Sequence, residues 1–247
     1  MRSVLPGIKA EYSPDVVIAN AENITHGSGF SYNSIQEMRE AGIDFFTSGN
    51  HAWSNPEGVK CMEDPDFPVI RPANFSAFDL SGRGYDIFTC KNGEKILIIN
   101  LMGRVFMKRS FECPFYAMEK ILEETSKEDL SAIFLDFHAE ATSEKEAMGF
   151  YLDGRVSAVI GTHTHVPTAD YRVLKNGTAY MSDAGMTGPE DSVIGVKKEI
   201  IIKSFLTKIQ KRHEPETSGP MVFSGVIIDI DSESGKALNI EHAYVRK

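Results

Sequence analysis

The chain has 247 residues, of which 42% are hydrophobic and 25% charged, with 20 Gly and 11 Pro and no tract rich in Gly, Ser or Pro. This composition excludes disordered, collagen-like and repeat proteins, and it is sufficient for one large core or two small ones. Lys and Arg total 26 against 35 Asp and Glu, a formal net charge of −9. That charge excludes the global positive field which non-specific binding to nucleic acid or anionic membrane needs, but a local anion site built around bound metal stays open.

The chain carries no sign of a membrane segment or of a disulfide framework. No run of about 18 apolar residues occurs, and residues 1–7 are broken too early by Pro and Gly to form a signal peptide. We therefore expect a cytoplasmic protein. Cys61, Cys90 and Cys113 are odd in number and form no close pair, so we interpret them as ordinary thiols.

Short β-branched runs alternate with helix-like stretches, a pattern typical of βαβ units and a mainly parallel sheet. Strands are predicted at residues 16–19, 43–47, 85–90, 95–101, 132–137, 158–160, 178–182 and 225–230, and helices at 34–41, 114–125 and 144–152. Asn92-Gly93 lies between the third and fourth strands and predicts a hairpin, so the sheets are mixed. Residues 211–220 are polar and predict a loop. Without a repeat or linker, the prediction is a single α/β domain over residues 1–247.

Residues able to bind a ligand follow four of the predicted strands. They are Glu22-Asn23, Asn50-His51, His138, and the pair His163 and His165. Ligands of open α/β sheets bind outside the carboxyl ends of the strands, so we expect these side chains to meet at one edge. Each group alone has a structural interpretation, as a capping turn, a polar loop or a core histidine, but their conjunction favours one site. Two residues apart on an extended segment, His163 and His165 are expected to point to the same side.

The donor types at these strand ends indicate a particular chemistry. Imidazole and oxygen donors without cysteine suit Fe, Mn or Zn, and several such ligands with one bridging carboxylate suit a two-metal centre. Two ions about 3.5 to 4 Å apart can bind a phosphoryl group, lower the pKa of a bridging water and stabilise the leaving oxygen. The combination predicts hydrolysis of a phosphoester.

At this point the sequence resembles a known family. The segments 21–23, 49–51, 138–140 and 161–165 (AEN, GNH, HAE and GTHTH) are similar to the ordered motifs of calcineurin-like metallophosphoesterases. The segments 71–74, 136–145 and 182–189 resemble the YmdB-like bacterial branch, described as 2',3'-cyclic nucleotide 2'-phosphodiesterases. The resemblance covers nearly the whole chain. It implies a four-layer α/β/β/α sandwich with mixed sheets and a dinuclear centre, commonly of iron or manganese.

The resemblance also implies roles for individual residues. Glu22 corresponds to the carboxylate that bridges both metals. Asn23 and His165 correspond to ligands of the first ion, and Asn50, His138 and His163 to ligands of the second. His51 matches the general acid that protonates the leaving alkoxide, a role for which an unperturbed pKa of about 6.5 is suited. The alternative for His51 is that it only orients the substrate.

One element of the family pattern is missing from this sequence. The pattern opens with a strand that ends in Gly-Asp, whose Asp binds the first metal, whereas residues 1–9 resemble the helix that follows it. Asp15 lies at the wrong end of its strand to replace that ligand, and nothing in the sequence shows Asp136 or Asp183 reaching a metal. We therefore expect a domain without its first strand, with either a misassigned start or a shortened protein as the cause, and a weakened first metal site.

Three functions stay open at this point. The leading interpretation is a metal-dependent phosphodiesterase acting on 2',3'-cyclic nucleotides or similar small phosphoesters. The second is a catalytically impaired relative that acts as a binding or regulatory protein, and the third is a hydrolase of another phosphoester, such as a 5'-nucleotidase or a protein phosphatase. Arg104 is a candidate phosphate contact, with a surface salt bridge as its alternative. The oligomeric state is open, including a homo-oligomer.

Overall fold

The computed structural model describes residues 1–75 and 80–247. The helices are α1 (Leu5–Tyr12), α2 (Tyr32–Glu40), α3 (Pro56–Cys61), α4 (Pro114–Glu124), α5 (Thr142–Leu152) and α6 (Lys198–Thr207). The strands are β1 (Ile18–Asn20), β2 (Phe45–Thr47), β3 (Tyr85–Thr89), β4 (Lys95–Met102), β5 (Ala132–His138), β6 (Ala158–Thr162), β7 (Arg172–Val173), β8 (Ala179–Met181), β9 (Gly188–Pro189), β10 (Met221–Asp231) and β11 (Lys236–Arg246).

A six-stranded mixed sheet forms the centre of the fold, with strand order β3-β4-β5-β6-β8-β7. Its four inner strands run parallel, and the two edge strands β3 and β7 run antiparallel to their neighbours. Alternate residues of β4 face opposite sides, as the period of a strand requires. Leu97 and Ile99 pack in the cluster that holds Met118 of α4 and Met148 of α5, whereas Ile98 packs on the other face with Phe45 of β2. The near-continuous apolar runs of these strands reflect burial on both faces.

The second layer of strands lies on that other face and consists of two separate sheets. One is the parallel pair β1-β2, and the other has the order β11-β10-β9. Ile160 of β6 packs with Ile240 of β11, which joins the two β layers. Ile35 of α2 packs with Phe46 of β2, and Ile8 of α1 packs with Phe223 of β10. The order helix, sheet, sheet, helix confirms the four-layer fold.

A large cavity separates the two sheets of the second layer. Within the described residues, β1 pairs only with β2, and β10 beyond Val222 pairs only with β11. A cavity of about 1860 Å³ is lined by consecutive residues of both strands, over 16–20 and 221–230, and by Phe134 of the central sheet. The same cavity reaches Glu22 and His138. The facing edges of β1 and β10 are therefore open to a space that leads to the carboxyl ends of the central strands.

Most of the predicted elements are confirmed, with ends that differ by up to about four residues. The hairpin is among them: β3 and β4 pair antiparallel, and Gly93 in its turn has a φ of 90°. The loop at 211–220 is also confirmed, with a single bridge at Pro215. The short elements α3, β7 and β9 were missed, as were α6, whose Ile200-Ile201-Ile202 run resembles a strand, and β11. In the part of the chain that the structure describes, no helix is both long and apolar enough to cross a bilayer.

The close packing of β6 against the segment after β8 gives a stability prediction. A Cβ added at Gly161 would overlap the carbonyl oxygen of Ser182, which belongs to the backbone and cannot rotate away. We therefore expect Gly161→Ala to lower the free energy of unfolding by about 3 kcal/mol, at the upper end of overpacking costs. Urea denaturation of the metal-free protein measures this change.

The matched control is Gly7→Ala in α1, where an added Cβ would meet nothing within 4 Å. Because alanine favours a helix over glycine, this variant should be unchanged or more stable by about 0.5 to 1 kcal/mol. Equal stabilities of the two variants would show that the contact at Gly161 is not tight.

Candidate metal centre

The carboxyl ends of β1, β2, β5 and β6 deliver the candidate ligands to one place. Glu22 follows β1, Asn50 follows β2, His138 ends β5 and His163 follows β6. Glu22, His138 and His163 each offer a ligand atom within 4.8 Å of the other two, a group of three that is found at this one place in the described chain. The backbone approaches closely here because residue 49 is a glycine, at which a Cβ would collide with Glu22 and the His138 ring. These four residues thus converge as predicted, but not at one edge of one sheet: β1 and β2 form a separate sheet, whose carboxyl end meets that of the six-stranded sheet here.

The Nε2 atom of His138 is at the centre of this group. The Glu22 Oε1 atom lies 3.2 Å from it, the Asn50 Oδ1 atom 3.0 Å, and the His163 Nδ1 atom 3.1 Å. The side chain of His138 is 1% exposed and that of Glu22 is 4% exposed, so water does not separate them from these partners. His138 Nε2 and these three atoms come from four strand ends and therefore offer four possible metal ligands at one place.

Protons alone cannot satisfy these contacts when both imidazoles are neutral. Thr162 has a single hydroxyl proton, which it donates to Asp136, so its oxygen accepts from the Nδ1–H of His138. The His163 Nε2 atom lies 3.1 Å from the Glu140 carboxylate, which favours the tautomer that carries the proton on Nε2. The lone pairs of His138 Nε2 and His163 Nδ1 then face each other beside the Glu22 carboxylate. A cation resolves this repulsion, so these residues fit a metal ion with nitrogen and oxygen ligands.

The pKa values of Glu22, His138 and His163 in the metal-free site are shifted by their mutual contacts and by burial. Burial is the largest influence on Glu22 and opposes its ionisation, but the charge and hydrogen bond of His138 together with the contacts of His51 lower the pKa of Glu22 to about 2. Burial is also the largest influence on His138 and lowers its pKa, but Glu22, with smaller contributions from Asp136 and Asp183, raises that pKa overall. For His163, burial and then the charge of His138 lower the pKa to about 4. Without metal, these contacts favour the protonated form of His138.

Asp136 and Thr162 lie behind His138 and fix its ring. Asp136 is fully buried, which raises its pKa, whereas the charge of His138 and three hydrogen bonds act to lower it. The Nδ1–H of His138 donates to Thr162 over 2.8 Å, and Thr162 donates to Asp136 over 2.6 Å. This chain keeps the Nδ1 atom protonated and leaves Nε2 free to bind metal, as outer partners of metal-bound histidines commonly do. Asp136 therefore faces away from the ligand atoms.

His51 lies beside Glu22 but outside the cluster. Its backbone N–H donates to the Glu22 Oε2 atom over 3.2 Å. Its Nδ1 atom lies 3.1 Å from the Ser28 hydroxyl and 3.2 Å from the Ser54 hydroxyl. The ring is thus oriented through Nδ1, and its Nε2 atom makes no hydrogen bond to any residue in the described ranges.

His165 reaches a different partner from His163. Its Nε2 atom lies 3.3 Å from the Asn23 amide nitrogen, and the same amide donates to Glu22 Oε1 over 3.2 Å. The extended backbone expected for these two histidines is not present, because β6 ends at Thr162 and both residues have positive φ angles. Asn23 and His165 form a second pair that meets the first group at Glu22.

Arg104 is not brought into the cluster. It lies two residues beyond Met102, the residue paired with His138, and its backbone N–H donates to the Glu144 carboxylate. Its side chain makes no ion pair with any residue of 1–75 or 80–247. Sequence reasoning missed Glu140, although it stands two residues after His138 and is itself a carboxylate at the same strand end.

Known proteins similar to this chain carry related names. The family model of YmdB-like protein matches residues 1–243. The "2',3'-cyclic-nucleotide 2'-phosphodiesterase" of Bacillus subtilis (strain 168) is 42% identical over 246 residues, which cover 99% of this chain and 90% of that protein. The crystal structure of a phosphatase from Mycoplasma pneumoniae has a TM-score of 0.91 at 34% identity, covering 99% of this chain and 87% of its own.

A more distant structure identifies the wider fold. The calcineurin-like phosphoesterase YfkN from Bacillus subtilis has a TM-score of 0.55 at 13% identity, covering 98% of this chain and 80% of its own, and this likeness concerns the fold alone. The four layers and the cluster at the carboxyl edge agree with it. The chain belongs to the YmdB-like protein family and is a phosphoesterase with the calcineurin-like fold.

Proposed function

We propose that this protein is a metal-dependent phosphodiesterase that hydrolyses 2',3'-cyclic nucleotides or similar small phosphoesters. The observation that carries the proposal is the gathering of Glu22, Asn50 and His163 around His138 Nε2 at 3.0 to 3.2 Å. Burying these polar groups together costs free energy unless a positive charge compensates them, so the set suits a cation. The name of the Bacillus subtilis relative supports the choice of cyclic nucleotides.

Two sets of side chains would hold the ions. One ion would be bound by Glu22, Asn50, His138 and His163. Glu22 would also bind the other ion, together with Asn23 and His165. The nitrogen and oxygen donors, with no sulfur among them, suit Fe, Mn or Zn, and the resemblance to metallophosphoesterases favours iron or manganese. When bound, the ions would supply Lewis acidity toward a phosphoryl oxygen and activation of water for attack.

The chain's own residues would bind and orient the substrate and move one proton. The protein carries a net charge of −9, and Glu22 and Glu140 add negative charge at the cluster, so the phosphate needs compensating positive charge there. His51 stands beside Glu22 with Nδ1 held by two serine hydroxyls. This orientation leaves Nε2 to donate a proton to the leaving alkoxide, the task of a general acid.

A binding or regulatory protein is the second candidate function. It is favoured by the unequal donor sets, since Asn23, His165 and the shared Glu22 give three side chains to one ion, against four for the other. An ion held by three side chains keeps more of its water and dissociates more readily. If the second ion is required for hydrolysis, a protein that loses it would bind a phosphoester without cleaving it.

The unequal sets predict the metal content. Elemental analysis after dialysis against metal-free buffer should find one retained ion and a second that is lost. His163→Ala removes a ligand of the larger set and should abolish the retained ion, whereas His165→Ala should leave it in place. Two ions retained equally in the unaltered protein would contradict the assignment of the ligands.

The role of His51 predicts a dependence on the leaving group. His51→Ala should slow hydrolysis of 2',3'-cyclic AMP by roughly 10²- to 10⁴-fold, the usual contribution of positioned proton transfer. Bis-nitrophenyl phosphate has a leaving group that needs little protonation, so its rate should fall far less. Steady-state kinetics on both substrates, at equal metal content, measure the difference.

Two results would contradict parts of this proposal. Equal losses on both substrates would assign His51 to the positioning of metal or phosphate instead of to proton transfer. If the protein is loaded with two ions and hydrolyses neither substrate, the phosphodiesterase function is wrong and the binding function is favoured.

A further inference from the structure

The turn that carries His163 and His165 has a backbone conformation that these residues rarely adopt. The φ angle of His163 is 100° and that of His165 is 67°, with Thr164 between them. Positive φ angles cost free energy for any residue with a Cβ, and they persist only where the surroundings hold them. Something outside the turn must therefore stabilise it.

The Asp183 carboxylate is the group that holds this turn. Its Oδ2 atom accepts a hydrogen bond of 2.9 Å from the backbone N–H of Thr164 and one of 2.7 Å from the Thr164 hydroxyl. Its Oδ1 atom accepts from the backbone N–H of Gly185 over 2.9 Å. The backbone N–H of Asp183 donates to the Thr168 hydroxyl over 3.0 Å, and its carbonyl oxygen accepts from the Thr168 backbone N–H over 3.1 Å. One side chain thus fixes the residue between the two histidines from a well-anchored segment after β8.

Lys145 of α5 completes the arrangement from another layer of the fold. Its Nζ atom donates to the same Asp183 Oδ2 atom over 2.9 Å, and the side chains of Lys145 and Asp183 are only 3% and 2% exposed. The lysine stem reaches this oxygen alongside Gly161, where an added Cβ would lie 3.1 Å from the lysine Cδ. Asp183 thus accepts from four donors, three of them on Oδ2 and one on Oδ1.

A buried ion pair of this kind is poorly explained by stability alone. Removing two charges from water costs about as much as their attraction returns, and apolar replacements of buried pairs are often neutral or stabilising. The pair has a specific geometric effect instead, because the ammonium holds Oδ2 where both Thr164 donors meet it. The two neighbouring histidines are then turned to different partners, His163 to His138 and His165 to Asn23.

We propose that Asp183 and Lys145 are positioning residues for the metal centre, which hold the turn so that His163 and His165 each reach their own set of ligands. The inference rests on the proposed function in taking the two histidines as metal ligands. Neither Asp183 nor Lys145 contacts an ion or a substrate in this arrangement. Their loss should act on metal binding through the turn, by the 10- to 100-fold that is typical of partners behind metal ligands.

The test uses a double variant, because single changes would leave one buried charge without its partner. Asp183→Asn combined with Lys145→Met removes both charges, keeps one amide oxygen near Thr164 and fills the path of the lysine stem. The full chain is expected to fold, as circular dichroism and thermal melting would show. Calorimetric titration with Mn²⁺ should give a dissociation constant raised about 10- to 100-fold for the tighter ion. In the metal-free protein, the Thr164 amide should exchange with solvent at least tenfold faster.

A milder variant keeps the inference testable if the double variant does not fold. Thr164→Val has nearly the same shape, keeps the backbone N–H and removes only the hydroxyl hydrogen bond to Asp183. It should weaken Mn²⁺ binding in the same direction and by a smaller factor. The matched control is Glu119→Gln, which breaks the partly exposed pair of Glu119 in α4 and Arg155 in the turn after α5, and it should change neither measurement.

The outcomes separate this inference from the proposed function. The positioning role would be overturned if both the folded double variant and Thr164→Val kept the Mn²⁺ affinity and the Thr164 amide exchange rate of the unaltered protein. If the unaltered protein binds no metal, the proposed function fails, and the exchange of the metal-free Thr164 amide alone decides whether Asp183 and Lys145 hold the turn.

Discussion

The structure depends on the placement of one buried nitrogen, Nε2 of His138, against a carboxylate and a second imidazole. These groups repel one another unless a cation lies among them, and burial makes the repulsion strong because water cannot screen it. In the metal-free protein the Glu22 carboxylate and its acidic neighbours raise the pKa of His138, which favours its protonated form. The four-layer fold brings the carboxyl ends of β1 and β2 in one sheet and of β5 and β6 in another to the same place, which the large cavity reaches.

The buried polar groups around this edge form two supports with different tasks. Asp136 and Thr162 fix the tautomer of His138 from behind, within the strands β5 and β6. Asp183 and Lys145 act on the next turn along the chain, where the backbone itself is strained. Each carboxylate accepts hydrogen bonds on both of its oxygens from residues that support the candidate ligands. The distinction matters because a sequence shows four acidic residues near the site and does not say which of them face the ion.

Local patterns in the sequence predict most of the strands and most of the cluster, whereas the four layers were implied by the resemblance to the family. The Glu, Asn and His residues that follow the strands could be recognised in the sequence. The shared direction of these strands places the residues close together in the fold. The turn after β6 could not be predicted, since an extended backbone was the natural assumption for His163 and His165 and the left-handed angles depend on the distant Asp183. The helix α6 was missed because its three consecutive isoleucines favour a strand. The contact of Thr162 with His138 and Asp136 could not be predicted either, because it depends on the register of β5 and β6, which pairs His138 with Thr162.

The central claim is that the space beside His138 Nε2 holds a metal ion. Anomalous diffraction from crystals soaked in Mn²⁺ tests it directly, because the peak locates the ion independently of activity. We expect a peak about 2 Å from His138 Nε2, with His163, Asn50 and Glu22 as its other protein ligands. A fully soaked crystal with no peak at this position, or with the ion bound elsewhere, would contradict the account.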